Sequence, residues 1–147
     1  MKRFVFPLDR VLRFRRLEME RVEARLSELA FRAHNERQAA QARRAEAIES
    51  GRQLAARPKL RGADFQITGH WLDRLEAERN NALAASEKLL QQHHEVLAQL
   101  VEARRKVKLL EILRGRKLDA HGMALGRQLD TQAAEFHLAK RIRERRR

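Results

Sequence analysis

The chain has no cysteine and no tyrosine, and only one tryptophan and two prolines in 147 residues. Without cysteine there is neither a disulfide framework nor a thiolate metal site. Aromatic residues make up 5%, too few to build a compact core from many directions. No apolar run approaches the roughly 20 residues needed to span a bilayer. The basic opening, Met1 to Arg16, leads into no apolar stretch of the kind a secretory signal requires, so the expected location is cytoplasmic. A phosphate-cradling glycine loop and a nucleophile elbow are also missing from the sequence, which removes the common routes to nucleotide and acyl chemistry.

What the sequence does contain is charge and alanine. Charged residues make up 36%, and alanine supplies much of the 43% hydrophobic fraction. An Ala, Glu, Lys, Leu and Arg composition with helical periodicity is that of long helices. The net charge of +13 points to acidic partners: nucleic acid, an anionic membrane surface or an acidic protein surface. The cations cluster at Lys2, Arg3, Arg10, Arg13, Arg15 and Arg16, at Arg104, Arg105, Lys106 and Lys108, and from Lys140 to Arg147.

The prolines divide the chain. Pro7 stands at a tolerated first-turn position. Pro58, in Arg57-Pro-Lys-Leu-Arg-Gly62, is the one strong helix breaker in the middle. The expectation is a single domain over residues 1–147, with a helix over about 8–56, a turn over about 57–64 and a helix over about 65–144. Asp64 or Thr68 is expected as the N-cap of the second helix.

Each helix carries a heptad. In the first, one seam reads Leu12, Met19, Leu26, Ala33, Ala40, Ala47, Leu54, and the other Leu8, Arg15, Val22, Leu29, Glu36, Arg43, Ser50. In the second, the seams read Leu72, Arg79, Ser86, His93, Leu100, Val107 and Thr68, Leu75, Ala82, Leu89, Val96, Ala103, Leu110. Apolar residues at this spacing make helices supercoil and pack knobs into holes. In an antiparallel hairpin the numbers of facing residues add to a constant. A bend centred on Arg61 pairs Leu12 with Leu110, Met19 with Ala103, Leu26 with Val96, Ala33 with Leu89 and Ala40 with Ala82, so that every seam position meets a seam position. The fold class expected is therefore all-α: two long helices in an antiparallel coiled-coil hairpin. The same register sets Arg43 against Arg79 and Glu36 against Ser86, side chains expected to reach outward, and makes the half near the bend thin. Beyond His121 the second helix overhangs. Leu118, Leu125, Leu129 and Phe136 continue an apolar stripe there, which implies a partner from another chain.

Catalysis and metal binding are not expected. His93 and His94 are adjacent, so they diverge by about 100° on a helix and cannot chelate one ion together. Carboxylates lie on charged helix faces without a cleft. A nucleic-acid role is weakened because no aromatic residues interleave with the basic tail for stacking.

The opening Phe4-Val-Phe-Pro-Leu-Asp-Arg-Val-Leu-Arg-Phe-Arg-Arg16 resembles the amino terminus of the FliJ family, the small rod proteins of the bacterial flagellar type III export apparatus. Ala103-Arg-Arg-Lys-Val-Lys-Leu-Leu-Glu-Ile-Leu113 is similar to the family's second basic stretch, and Leu118 to Phe136 to its C-terminal end. Injectisome stalk proteins are similar too, whereas residues 32–61 match nothing specific. The resemblance implies a non-enzymatic stalk and adaptor without cofactor, cytoplasmic and peripherally associated with the inner membrane at the flagellar base. The partners it implies are the hexameric export ATPase, the cytoplasmic domain of the export gate, and export chaperones. Carried onto this chain, it assigns Arg13, Arg16, Arg104, Arg105, Lys106, Leu118, Leu125 and Leu129 to the ATPase ring, and Phe65, Trp71, Leu72 and Leu75 to the gate. The competing reading is a basic coiled coil that binds nucleic acid or an anionic membrane.

Overall fold

A computed structural model describes residues 3–145, so Lys2, Arg146 and Arg147 of the basic clusters lie outside the described residues. The described chain is all-α. Its elements are α1 (Asp9–Ala55) and α2 (Gly62–Arg145), with no strand among the described residues. The break between them is shorter than expected, because α2 begins at Gly62 and not after Asp64. The cause is local. Asp64 reaches back with Oδ2 to accept the Arg61 backbone N–H at 3.0 Å, and its other oxygen takes Arg57 Nη1 at 2.9 Å. Asp64 thus serves three residues inside the helix start, as the acidic half of a capping box, and not as the N-cap itself.

The seam positions are the covered ones. Leu12, Met19, Leu26, Ala33, Ala40, Ala47 and Leu54 on α1 are all buried or half-buried. So is every position of both α2 series from Thr68 to Leu110. Leu8 and Arg43 are the exposed members of the second α1 series.

The chain forms two compact units. One joins Met1–Met19 to Ala103–Arg147, and the other is Glu20–Glu102. In the first, Pro7 lies in a turn closed by the Asp9 N–H on the Phe6 carbonyl at 3.1 Å. Asp9 then occupies the first turn of α1, where a carboxylate suits the helix dipole. Phe6, Leu12 and Val107 form the core here, with Phe4, Met19 and Leu110 packed against it. The Phe4 and His121 rings meet edge-on at 5.6 Å.

In the second unit, Leu29, Ala33, Ala40, Leu75, Val96 and Leu100 are buried. The region near the break is not loose in the way its alanine content suggests. Leu75 is 1% exposed and Ala40 is 3% exposed, whereas Leu26 is only half-buried. A small side chain leaves little of itself to cover, so alanine seams bury well without bulk. The polar seam residues also behave differently from expectation. Ser86 is buried and donates its hydroxyl to the Ala33 carbonyl at 3.1 Å, so it needs no solvent. Arg43 does reach outward, but to carboxylates: Nε to Glu78 at 2.9 Å and Nη1 to Glu46 at 3.3 Å. No buried side-chain nitrogen or oxygen among the described residues is left without a partner.

Candidate partner-binding surfaces

The residues expected to serve a partner fall into one group in each unit. In the first unit, Arg13 is held by Asp9, one turn earlier on α1, with Nε donating at 2.9 Å. That hydrogen bond, followed by the positive charges of Arg13, Arg114 and Arg16, holds the Asp9 carboxyl below its usual value. Arg16 Nη2 pairs with Glu111 Oε1 on α2 at 2.7 Å, with both side chains nearly half exposed. Pairs this exposed are screened by solvent and add little to stability. They order the guanidinium groups more than they hold the helices. Arg104, Arg105 and Lys106 are exposed on α2, in sequence between the half-buried Ala103 and the buried Val107.

Further along α2 the covering ends. Leu118 and Leu129 are exposed, Leu125 is half-buried, and Phe136 is 81% exposed. The helix runs unbroken through Gly115, Gly122 and Gly126, and a Cβ at any of them would meet nothing within 4 Å. The glycines are therefore not required for packing in the chain itself. The surface of this segment is an apolar stripe with cations beside it.

The second group lies near the start of α2. Phe65 and Trp71 are exposed, and the Arg74 guanidinium lies 6.0 Å from the Trp71 ring centre. Trp71 borders a shallow depression with Ser50 and Leu54 of α1, Arg57 of the break, and Ile67 and Thr68 of α2. Leu72 is half-buried. Leu75 is a correction to the expected contact set: at 1% exposure it is a core residue and offers nothing to a partner. Its heptad position already placed it in the seam. Ile67, Ile48 and Leu60, all exposed, are apolar side chains of this unit that periodicity did not single out.

His93 is half-buried and His94 exposed. Among the described residues no group of three or more His, Cys, Asp or Glu is placed to hold a metal ion. No helix among the described residues is long and apolar enough to cross a membrane.

Compared with family models, with curated proteins and with solved structures, the chain matches none of them.

The exposure of Trp71 leads to a direct expectation. Trp71→Ala should leave the melting temperature within a few degrees of the native chain, because the ring is outside the seam. If Trp71 anchors a partner such as an export-gate cytoplasmic domain, the same change should weaken that binding by about 2 kcal/mol or more, the size of an interface anchor. Isothermal titration beside thermal melting separates the cases. A large melting loss with unchanged affinity would make Trp71 a cap over the break.

Proposed function

We propose that this chain is a non-enzymatic stalk and adaptor of a type III protein export apparatus of the flagellar kind. In this reading α1 and α2 form an antiparallel coiled-coil hairpin. The segment Leu118–Leu129, with Arg13, Arg16, Arg104, Arg105 and Lys106, engages an export ATPase ring. Phe65, Trp71 and Leu72 engage the export gate, and export chaperones are further partners.

The hairpin is supported by the order of the contacts inside each unit. In the second unit Ala33 meets Ser86, Arg43 meets Glu78 and Arg57 meets Asp64. In the first, Phe4 meets His121 and Arg16 meets Glu111. In both, positions rising along one segment meet positions falling along the other. Cysteine pairs test this cleanly in a chain that has none of its own. Leu26→Cys with Val96→Cys should crosslink within one molecule under mild oxidation, and Leu26→Cys with Leu89→Cys should not. Preferred crosslinking of the second pair would overturn the register.

The observation that carries the functional reading is the conjunction of this helix layout with the Phe4–Arg16 and Ala103–Leu113 stretches and with an apolar stripe on α2 that the chain leaves uncovered. A partner with six-fold symmetry around one rod that lacks that symmetry cannot make identical contacts through every subunit. Charge and loosely seated apolar residues suit such a site better than deep pockets. The test is ATP turnover by a purified flagellar export ATPase with and without the chain. Acceleration supports the reading, and unchanged turnover overturns it. A second reading, a basic coiled coil on nucleic acid, rests on the net charge of +13 and requires binding to any duplex with a steep salt dependence.

A further inference from the structure

The last turns of α2 combine features that the stalk reading does not use. Phe136, Leu138 and Ile142 are 81%, 61% and 55% exposed, three large apolar side chains within seven residues. Lys140, Arg141, Arg143 and Arg145 stand among them, all exposed. At about 100° per residue, Leu138, Ile142, Ala139 and Phe136 fall in that order over an arc of about 160°. Lys140 lies just past the Phe136 edge of the arc and Arg145 just past the Leu138 edge. Arg143 falls beside Phe136 within it. The opposite arc holds His137, Arg141 and Glu144. Glu135, at the upstream end, is the one acid on the apolar side.

Cations in a last helical turn also suit the helix dipole, which accounts for Arg143 and Arg145 by themselves. The dipole does not account for an apolar arc edged by cations on both sides. A helix with apolar residues on one side and Lys or Arg along its margins lies in the plane of a lipid–water interface. The rings and aliphatic chains enter the acyl boundary, and the long basic side chains reach back to the headgroups. Charge selects the occupant. A second copy of this segment would bring its cations against like cations, whereas an anionic bilayer offers negative charge along the whole edge. Nucleic acid would satisfy the cations but would leave Leu138 and Ile142 in water.

We infer that residues 136–145 form an interfacial anchor for an anionic phospholipid surface, with Phe136, Leu138 and Ile142 inserted and Lys140, Arg143 and Arg145 on the headgroups. The anchor is independent of the ATPase and of the export gate, and it is tested without them.

The experiment is co-sedimentation of the full chain with two sets of vesicles, one of phosphatidylcholine alone and one of equimolar phosphatidylcholine and phosphatidylglycerol. The native chain should bind the anionic vesicles at least roughly tenfold more tightly than the neutral ones. The double variant Phe136→Glu with Ile142→Glu should lose roughly tenfold or more of that binding. Its far-ultraviolet circular dichroism should be unchanged, because neither side chain is covered in the protein. A parallel titration with duplex DNA separates adhesion by charge alone: the double variant should bind DNA within about threefold of the native chain. Equal binding of the native chain to both kinds of vesicle would overturn the proposal. So would anionic-vesicle binding that survives the double substitution, which would be charge adhesion without insertion.

Discussion

Leu12→Asp is expected to be the most damaging single substitution in this chain. Leu12 is 1% exposed and belongs to the core of its unit with Phe6 and Val107, with Phe4, Met19 and Leu110 around them. Truncation to alanine at such a site typically costs about 2–5 kcal/mol through lost contacts and the cavity left behind. A carboxylate costs more, because it must stay charged without a partner or be neutralised at the expense of a raised pKa. A folded-state pKa raised above its unfolded value makes the penalty largest at neutral pH, and it shrinks as the pH falls and the introduced carboxyl takes up a proton. A cost above about 4 kcal/mol would be a large fraction of the roughly 5–15 kcal/mol that stabilises a typical domain. Urea unfolding followed by far-ultraviolet circular dichroism at two pH values measures this. Leu26→Asp, at a half-buried position, should cost visibly less, and so should Phe14→Asp at an exposed one. A loss at Leu12 no greater than that at Leu26 would show that the Phe6–Leu12–Val107 cluster does not hold its unit together.

Reversing the charges of Arg13, Arg16, Arg104 and Arg105 together should remove the stimulation of an export ATPase by at least roughly tenfold, if this end of the molecule works through charge. The fold should persist. Among its losses are the Arg13–Asp9 and Arg16–Glu111 pairs, where like charges take their place, but both pairs are well exposed and add little to stability. The control must match the change in net charge, since a less basic chain would also bind an acidic ring more slowly. Reversal of Arg32, Arg37, Arg44 and Arg52, all exposed and all in the other unit, provides it. ATP turnover with each variant at low and moderate salt is the measurement. Stimulation lost in the first variant and kept in the control locates the contact. Equal loss in both would reduce the effect to overall charge. Full stimulation by the first would remove these arginines from the interface.

Much of the local structure is determined by the sequence on its own. The helix break falls at Pro58 because proline cannot continue an intrahelical hydrogen-bond ladder. The covered positions of both helices follow the heptads because side-chain direction along a helix is a property of that helix alone. The exposed stripe on α2 was legible for the same reason: the apolar spacing continues through Leu118, Leu125 and Leu129. Trp71 and Leu75 illustrate the limit. Leu75 stands in the heptad seam and Trp71 outside it, but the spacing does not say how deep the leucine lies, and only the packed structure puts it at 1% exposure.

What the tertiary structure alone decided concerns atoms supplied from far along the chain. Phe6 precedes α1, so no helical period could assign it to the core, yet it packs against Val107. Ser86 reads as a defect in a leucine seam until the Ala33 carbonyl comes within 3.1 Å of its hydroxyl. Arg43 looks like a cation set against Arg79, and the fold gives it Glu78 instead. Periodicity states which side of a helix is covered. The identity of the covering group is a matter of long-range geometry, and for polar side chains that identity decides whether burial costs stability or is compensated by a hydrogen bond.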